Sequence, residues 1–259
     1  MTIRILHKPD NFVQWLMGNQ DQPFVYEAEG VKSMRFCCTA VQSSMRLSHP
    51  FELELGYTQA MMGFMLFNDE PEHILIVGLG GGSLSKYCYR QFPHARITTL
   101  EISPKVIALR DEFMIPPDDE RFRVIHADAA AYLANNNVQA DIILLDGFDG
   151  DGLPDGLSSI SFYANCWRNL RSQGVLVSNL LGSSRCVGVC LNRLRGVFND
   201  LLWSSKSFDS SNLIAFAVKS ERYAPHWSGL STKANVLADR YQLNMPWIVK
   251  NMRRRQPSI

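Results

Sequence analysis

Residues 74–83 read ILIVGLGGGS, and a second apolar run, RITTLE, closes on Glu101. Four consecutive apolar residues with no polar alternation are the mark of a strand buried on both faces. The run then breaks into Gly78, Gly80, Gly81 and Gly82. Glycine lacks a Cβ, so the chain can turn sharply there and a ligand can lie against bare backbone. The spacing predicts a helix over 83–92. Strand, glycine loop, helix, strand and then an acid about twenty residues on make the nucleotide-binding half of a doubly wound α/β sheet.

The glycine spacing narrows the ligand. The pyrophosphate fingerprint G-x-G-x-x-G/A, started at Gly78, ends on Ser83 rather than on a small apolar residue. The frame that fits is G-x-G-x-G: Gly78, Gly80 and Gly82. It suits a nucleoside ligand without a phosphate, such as S-adenosylmethionine. A carboxylate at Glu101 would accept bonds from two ribose hydroxyls.

Outward from this core, strands ILIV, ITTLE, FRVIHA, DIILLD and GVLVSNLL alternate with helices expected at 83–92, 104–113, 128–135, 161–170 and about 185–200. LLWSSKSF and LIAFAVKS flank an Asp-Ser-Ser-Asn turn and read as a terminal antiparallel hairpin. The expected fold is a Rossmann-like, mostly parallel seven-stranded sheet. Upstream, FVYEAE, SMRFCCTA and SSMRLS read as strands of a small antiparallel sheet, and LGYTQAMMGFMLF as a helix packed on both sides. Residues 1–70 are thus expected to form an N-terminal β-rich domain with its linking helix, and residues 71–259 the nucleoside-binding catalytic domain. The C-terminal tail is read as helical near 231–242 and then as a solvated basic end at Arg253, Arg254 and Arg255.

Composition sets bounds. A net charge of +1 over 259 residues offers no global field for nucleic acid or membrane. No run reaches the ~18 apolar residues of a membrane span. The N-terminal MTIRILHKPDNFVQW has no apolar signal core, and several of the six cysteines sit in apolar contexts. Both point to a reduced, cytoplasmic protein with buried thiols. Cys186 and Cys190 share a helix face but lack further ligands, and the six histidines form no H-x-x-x-H pair, so no metal is expected.

Four more acids fall at or just beyond strand ends. Asp128 could accept the exocyclic amine of an adenine, with the Ala129 N–H meeting a ring nitrogen, and it is equally a good N-cap. Asp146, Asp149 and Asp151 crowd the loop after DIILLD. Carboxylates so close repel one another, and a cationic ligand relieves that cost. The alternatives are a solvated turn or a calcium loop, but GLPDG supplies no closing glutamate for calcium.

The ordered segments ILIVGLGGGSLSK, TTLEIS, VIHADAAAYL, DIILLDGFDGDGLP and SFYANCWRNLRSQGVLVSN resemble spermidine synthase and its polyamine aminopropyltransferase relatives. The resemblance spans residues 25–220 and is most specific at LLDGFDGDGLP, which matches the D-x-x-D loop of that family. It implies aminopropyl transfer from decarboxylated S-adenosylmethionine to a putrescine-class amine, in polyamine biosynthesis, by a homo-dimer or homo-tetramer joined through the N-terminal β-domain. It makes Asp146 the catalytic acid–base residue and Asp149 and Tyr57 amine-binding. Glu101 would hold the ribose and Asp128 the adenine. Three positions depart from the family pattern. Gly80 stands where the glycine loop carries Asp, Thr58 where His follows the tyrosine, and SFDSSN where the family has Tyr-Pro-Gly-Gly. Methyl transfer from intact S-adenosylmethionine and non-catalytic nucleoside binding stand as alternatives.

Overall fold

The computed structural model describes residues 3–8, 22–36, 41–148, 153–220 and 227–254. Five apolar runs form parallel strands: β5 (His73–Val77), β6 (Arg96–Glu101), β7 (Phe122–His126), β8 (Ala140–Leu145) and β9 (Leu170–Leu180). With β10 (Leu202–Lys206) and β11 (Leu213–Val218) they make one seven-stranded sheet of order β10-β11-β9-β8-β5-β6-β7. The hairpin is present, but its second strand enters the sheet. β11 pairs antiparallel with both β9 and β10, and β10 is the edge. The order reverses at β5, which pairs with β6 on one side and β8 on the other. Ligands of such sheets bind at that reversal, beyond the carboxyl ends of the strands.

Both faces of the central strands β5 and β8 are covered, which is why they read as near-continuous apolar runs. In β5, Ile74 and Ile76 join one buried cluster and Leu75 and Val77 the other. The first cluster also takes in Val25, Met34 and Met45. Those residues belong to a four-stranded antiparallel sheet, β1 (Ile3–His7), β2 (Phe24–Ala28), β3 (Val31–Arg35) and β4 (Ser43–Arg46). The linking segment is a short α-helix, Gly56–Met61, continued as a 3-10 turn, Met62–Leu66, every residue of which is buried. The buried Lys86 ties these layers together, donating to Met45 Sδ at 2.9 Å and to the Phe113 carbonyl at 2.7 Å.

Three sequence expectations need correction. The helix expected at 104–113 stops at Ile107. Tighter turns follow, Leu109 N–H to Val106 O and Arg110 N–H to Ile107 O, and Met114 takes a left-handed conformation. This path seats Phe113 and Ile115 against the glycine loop, where a Cβ on Gly81 would lie 2.7 Å from Phe113 and one on Gly82 2.5 Å from Ile115. The tail forms two helices, Trp227–Tyr241 and Met245–Arg254, and the second buries Met245, Ile248, Val249 and Met252. Its apolar residues at spacings of three and four outweigh the basic end. Of the two helical cysteines, Cys190 is buried and Cys186 exposed. No helix among the described residues is long and apolar enough to cross a membrane.

Candidate active site

Beyond the carboxyl ends of β5, β6, β7 and β8 lies a cavity of about 840 Å³. Its roof, Phe36, Gln42, Ser43, Tyr57 and Thr58, comes from the N-terminal sheet and the linking helix. Its floor brings together Gly78, Gly80, Glu101, Asp128, Ala129 and Asp146. The described lining carries three carboxylates and no Lys, Arg or His. Such a wall favours a cationic ligand, because carboxylates crowded in a cavity repel one another unless a positive charge lies between them.

The glycine loop is shaped first by its own packing. Gly78 has φ +97°, and a Cβ there would lie 2.4 Å from the Asp146 carbonyl oxygen. Only glycine lets β5 and the β8 turn approach so closely. Gly82, at φ +69°, makes room for Ile115 and begins the helix Ser83–Gln91, and it is not among the lining residues. At Gly80 a Cβ would meet nothing nearer than Ser43 Cβ at 3.7 Å, so that position faces open space.

Glu101 is 8% exposed and serves two backbone donors. Leu79 N–H bonds to its Oε2 and Ser103 N–H to its Oε1, both at 2.8 Å. Each oxygen keeps a second lone pair for a ligand hydroxyl. Asp128 caps the helix Ala129–Asn135, its Oδ1 accepting the Ala130 N–H at 2.8 Å. The cap and a place in the cavity wall coexist, and Ala129, at the first helical position, has an N–H with no intrahelical partner.

Asp146 follows the last residue of β8. Its Oδ1 accepts from Asn179 Nδ2 at 2.8 Å and its Oδ2 from the Tyr57 hydroxyl at 3.2 Å. Both donors are neutral. Burial therefore dominates and pushes the carboxyl up to about 7, while the two hydrogen bonds pull it back. Burial, and then the Asp146 charge, hold the Tyr57 phenol well above its ordinary value. Asp149 lies outside the described residues, as does Asp151.

Sequence reasoning passed over Asn179 and Asn212, which form the support behind Asp146. Asn179 is the penultimate residue of the buried strand β9, and a polar residue inside that apolar run was the available signal. Asn212 reads as an ordinary turn residue. Phe148 lines the cavity, whereas Trp203 is buried in the core.

Sheet order and the acid at the end of β6 define the class: a Rossmann-like fold of the S-adenosylmethionine-dependent transferases. The spermine/spermidine synthase domain profile matches residues 54–183. The polyamine aminopropyltransferase of Neisseria meningitidis serogroup A is 33% identical over 236 residues, 90% of this chain and 90% of that one. That of Chromobacterium violaceum is 33% identical over 230 residues, 88% of each. A spermidine synthase solved with the transition state analogue AdoDATO superposes with TM-score 0.71 over 98% of this chain and 86% of that chain, at 16% identity, and so shares the fold. The chain belongs to the spermine/spermidine synthase family, and it is a transferase.

Proposed function

We propose that the protein transfers an aminopropyl group from decarboxylated S-adenosylmethionine to a putrescine-class amine. The observation that carries this reading is the half-buried Asp146 carboxylate, held by two neutral donors in a cavity whose described charges are all negative. A sulfonium donor and an ammonium acceptor are both cations. The glycine loop and Glu101 suit the adenosyl half, with Glu101 on the ribose hydroxyls and Asp128 and Ala129 on the adenine. Tyr57, and Asp149 beyond the described residues, would flank the amine.

The chemistry balances on these groups. An alkylammonium resembles Lys, with a pKa of about 10.4, so the acceptor arrives protonated. A carboxylate titrating near 7 binds that ammonium and takes one proton as the nitrogen lone pair is released. The nitrogen attacks the carbon beside sulfur. The C–N bond forms, the C–S bond breaks, its electron pair goes to sulfur, and neutral methylthioadenosine departs. The sulfonium is already a good leaving group, so alignment of nitrogen and carbon supplies most of the acceleration.

The proposed division at residue 70 is supported by two separate sheets, although their residues share one buried cluster. A homo-dimer or homo-tetramer is supported by Ile3 and Ile5, 58% and 55% exposed on the edge strand β1. Light scattering at micromolar concentration decides it, and a monomer would exclude it. The function is tested by incubating purified protein with decarboxylated S-adenosylmethionine and a panel of di- and polyamines. Methylthioadenosine released in proportion to the new polyamine is the expected result. Its absence with every amine, or faster turnover of the carboxylated donor, overturns the reading.

A further inference from the structure

The loop joining β10 to β11 reads SFDSSN, Ser207–Asn212, and it replaces the segment that the resembling family carries there. It reaches Asp146 from two sides. On one, Asn212 Nδ2 donates to Asn179 Oδ1 at 2.8 Å, and Asn179 Nδ2 donates to Asp146 Oδ1 at 2.8 Å. Ser210 Oγ donates to Asn212 Oδ1 at 2.7 Å, so the donors all run one way toward the carboxylate. On the other, Asp209 Oδ2 accepts the Gly56 N–H at 3.0 Å, immediately before Tyr57, whose hydroxyl meets Asp146 Oδ2. A Cβ on Gly56 would lie 2.5 Å from Asp209 Oδ1, so glycine is required for this approach. The loop is braced internally by Ser207 Oγ on Asp209 Oδ1 and by Ser207 N–H on Asn212 O.

Direction matters because an amide can present either end. Flipped, Asn179 would aim its oxygen at the carboxylate, acceptor against acceptor. The Asn212 donor on Asn179 Oδ1 selects the productive orientation. Strand register delivers the pair: Leu213 lies opposite Leu180 and Ile214 opposite Asn179, so Asn212 sits at the strand end beside Asn179. Asn179 is 1% exposed and Asn212 7%, so water does not readily substitute for either partner.

We propose that Ser207–Asn212 is the positioning element for the reactive carboxylate, Asn212 acting through Asn179 and Asp209 through the Gly56–Tyr57 turn. This rests on the reading of Asp146 as proton acceptor. The titratable groups around that carboxylate among the described residues are Tyr57 on the linking helix, Glu101 and Asp128 across the cavity, and Asp209 behind Gly56.

The test is Asn212→Leu, similar in size but without the amide, in the full chain. Its first readout needs no turnover: carbon NMR of aspartate-labelled protein follows the Asp146 carboxyl, assigned by its loss in Asp146→Asn. With Asn179 free to flip, the titration midpoint is expected to rise by about one pH unit. The matching kinetic effect is about a fivefold loss of kcat/KM for the amine at pH 7, with methylthioadenosine affinity unchanged. Ser210→Ala loosens the same chain at its far end and should move the midpoint the same way by less, which guards against misfolding of Asn212→Leu. Asp209→Ala should raise it through the Tyr57 arm. A midpoint unmoved in folded Asn212→Leu and Ser210→Ala overturns the proposal. Parental turnover in Asp146→Asn would overturn the proton-acceptor reading, while the midpoint still decides the relay.

Discussion

Tyr57→Phe isolates one hydrogen bond without changing the volume of the site. The hydroxyl lies 3.2 Å from Asp146 Oδ2, long for a bond to a carboxylate. Hydrogen bonds to charged groups contribute about 1.5–3 kcal/mol, so this one is placed below that range, near 1 kcal/mol. The bond favours the ionised form. Its loss should raise the Asp146 midpoint by about 0.7 unit from its position near 7. At pH 7 the ionised fraction then falls from about one half to about one sixth, a threefold loss of rate. The deficit should grow to about fivefold at pH 6 and vanish by pH 9, where both proteins are ionised. The assay is methylthioadenosine release under subsaturating amine, expressed as the ratio of variant to parent at each pH. The amine's own titration cancels in that ratio. A deficit of constant size across pH, or an acid limb that moves down, would refute the assignment of base to Asp146 and of donor to Tyr57.

Other perturbations test the remaining geometry. Asp146→Asn should abolish turnover yet leave methylthioadenosine binding, read by calorimetry. It should also stabilise the fold at pH 8. A carboxyl raised in the folded state makes the folded chain bind the extra proton between pH 4 and 7, so stability falls as pH rises through that window. The gain, up to about 4 kcal/mol at pH 8 and near zero at pH 4, is read by thermal unfolding at both values. Glu101→Gln turns an amide N–H₂ toward one of two backbone donors, and should lower stability by about 1–3 kcal/mol and weaken methylthioadenosine binding in calorimetry. Gly78→Ala forces a Cβ to 2.4 Å from a backbone oxygen at φ +97° and should fail to fold or lose more than about 3 kcal/mol. Gly80→Ala, at φ +51° with its nearest contact at 3.7 Å, should lose only about 1 kcal/mol in the same denaturation experiment.

Much of the architecture was legible because burial writes itself into periodicity. A strand covered on both faces favours a continuous apolar run, and β5, β8 and the Val175–Val177 run of β9 announce themselves in that way. Local chemistry also marked Asp128, whose capping geometry the structure reproduces. The misreadings have a common cause. Residues 104–113 carry helical spacing, but Phe113 and Ile115 are drawn onto Gly81 and Gly82 from outside the segment. The basic ending hid a helix whose other face is buried. Tertiary demand outweighed local propensity in both.

The chain's own pattern determined the alternation of strands and helices, the glycine turn and the acids at strand ends, since each follows from burial period or from residues a few positions apart. What folding alone decided is the state of Asp146. Its donors come from residues 57 and 179, and their supports from 209 and 212, groups far apart along the chain that meet only when β11 slides in beside β9. Proton affinity depends on desolvation and on the direction of each neighbouring dipole, and those are properties of three-dimensional placement that no linear spacing encodes.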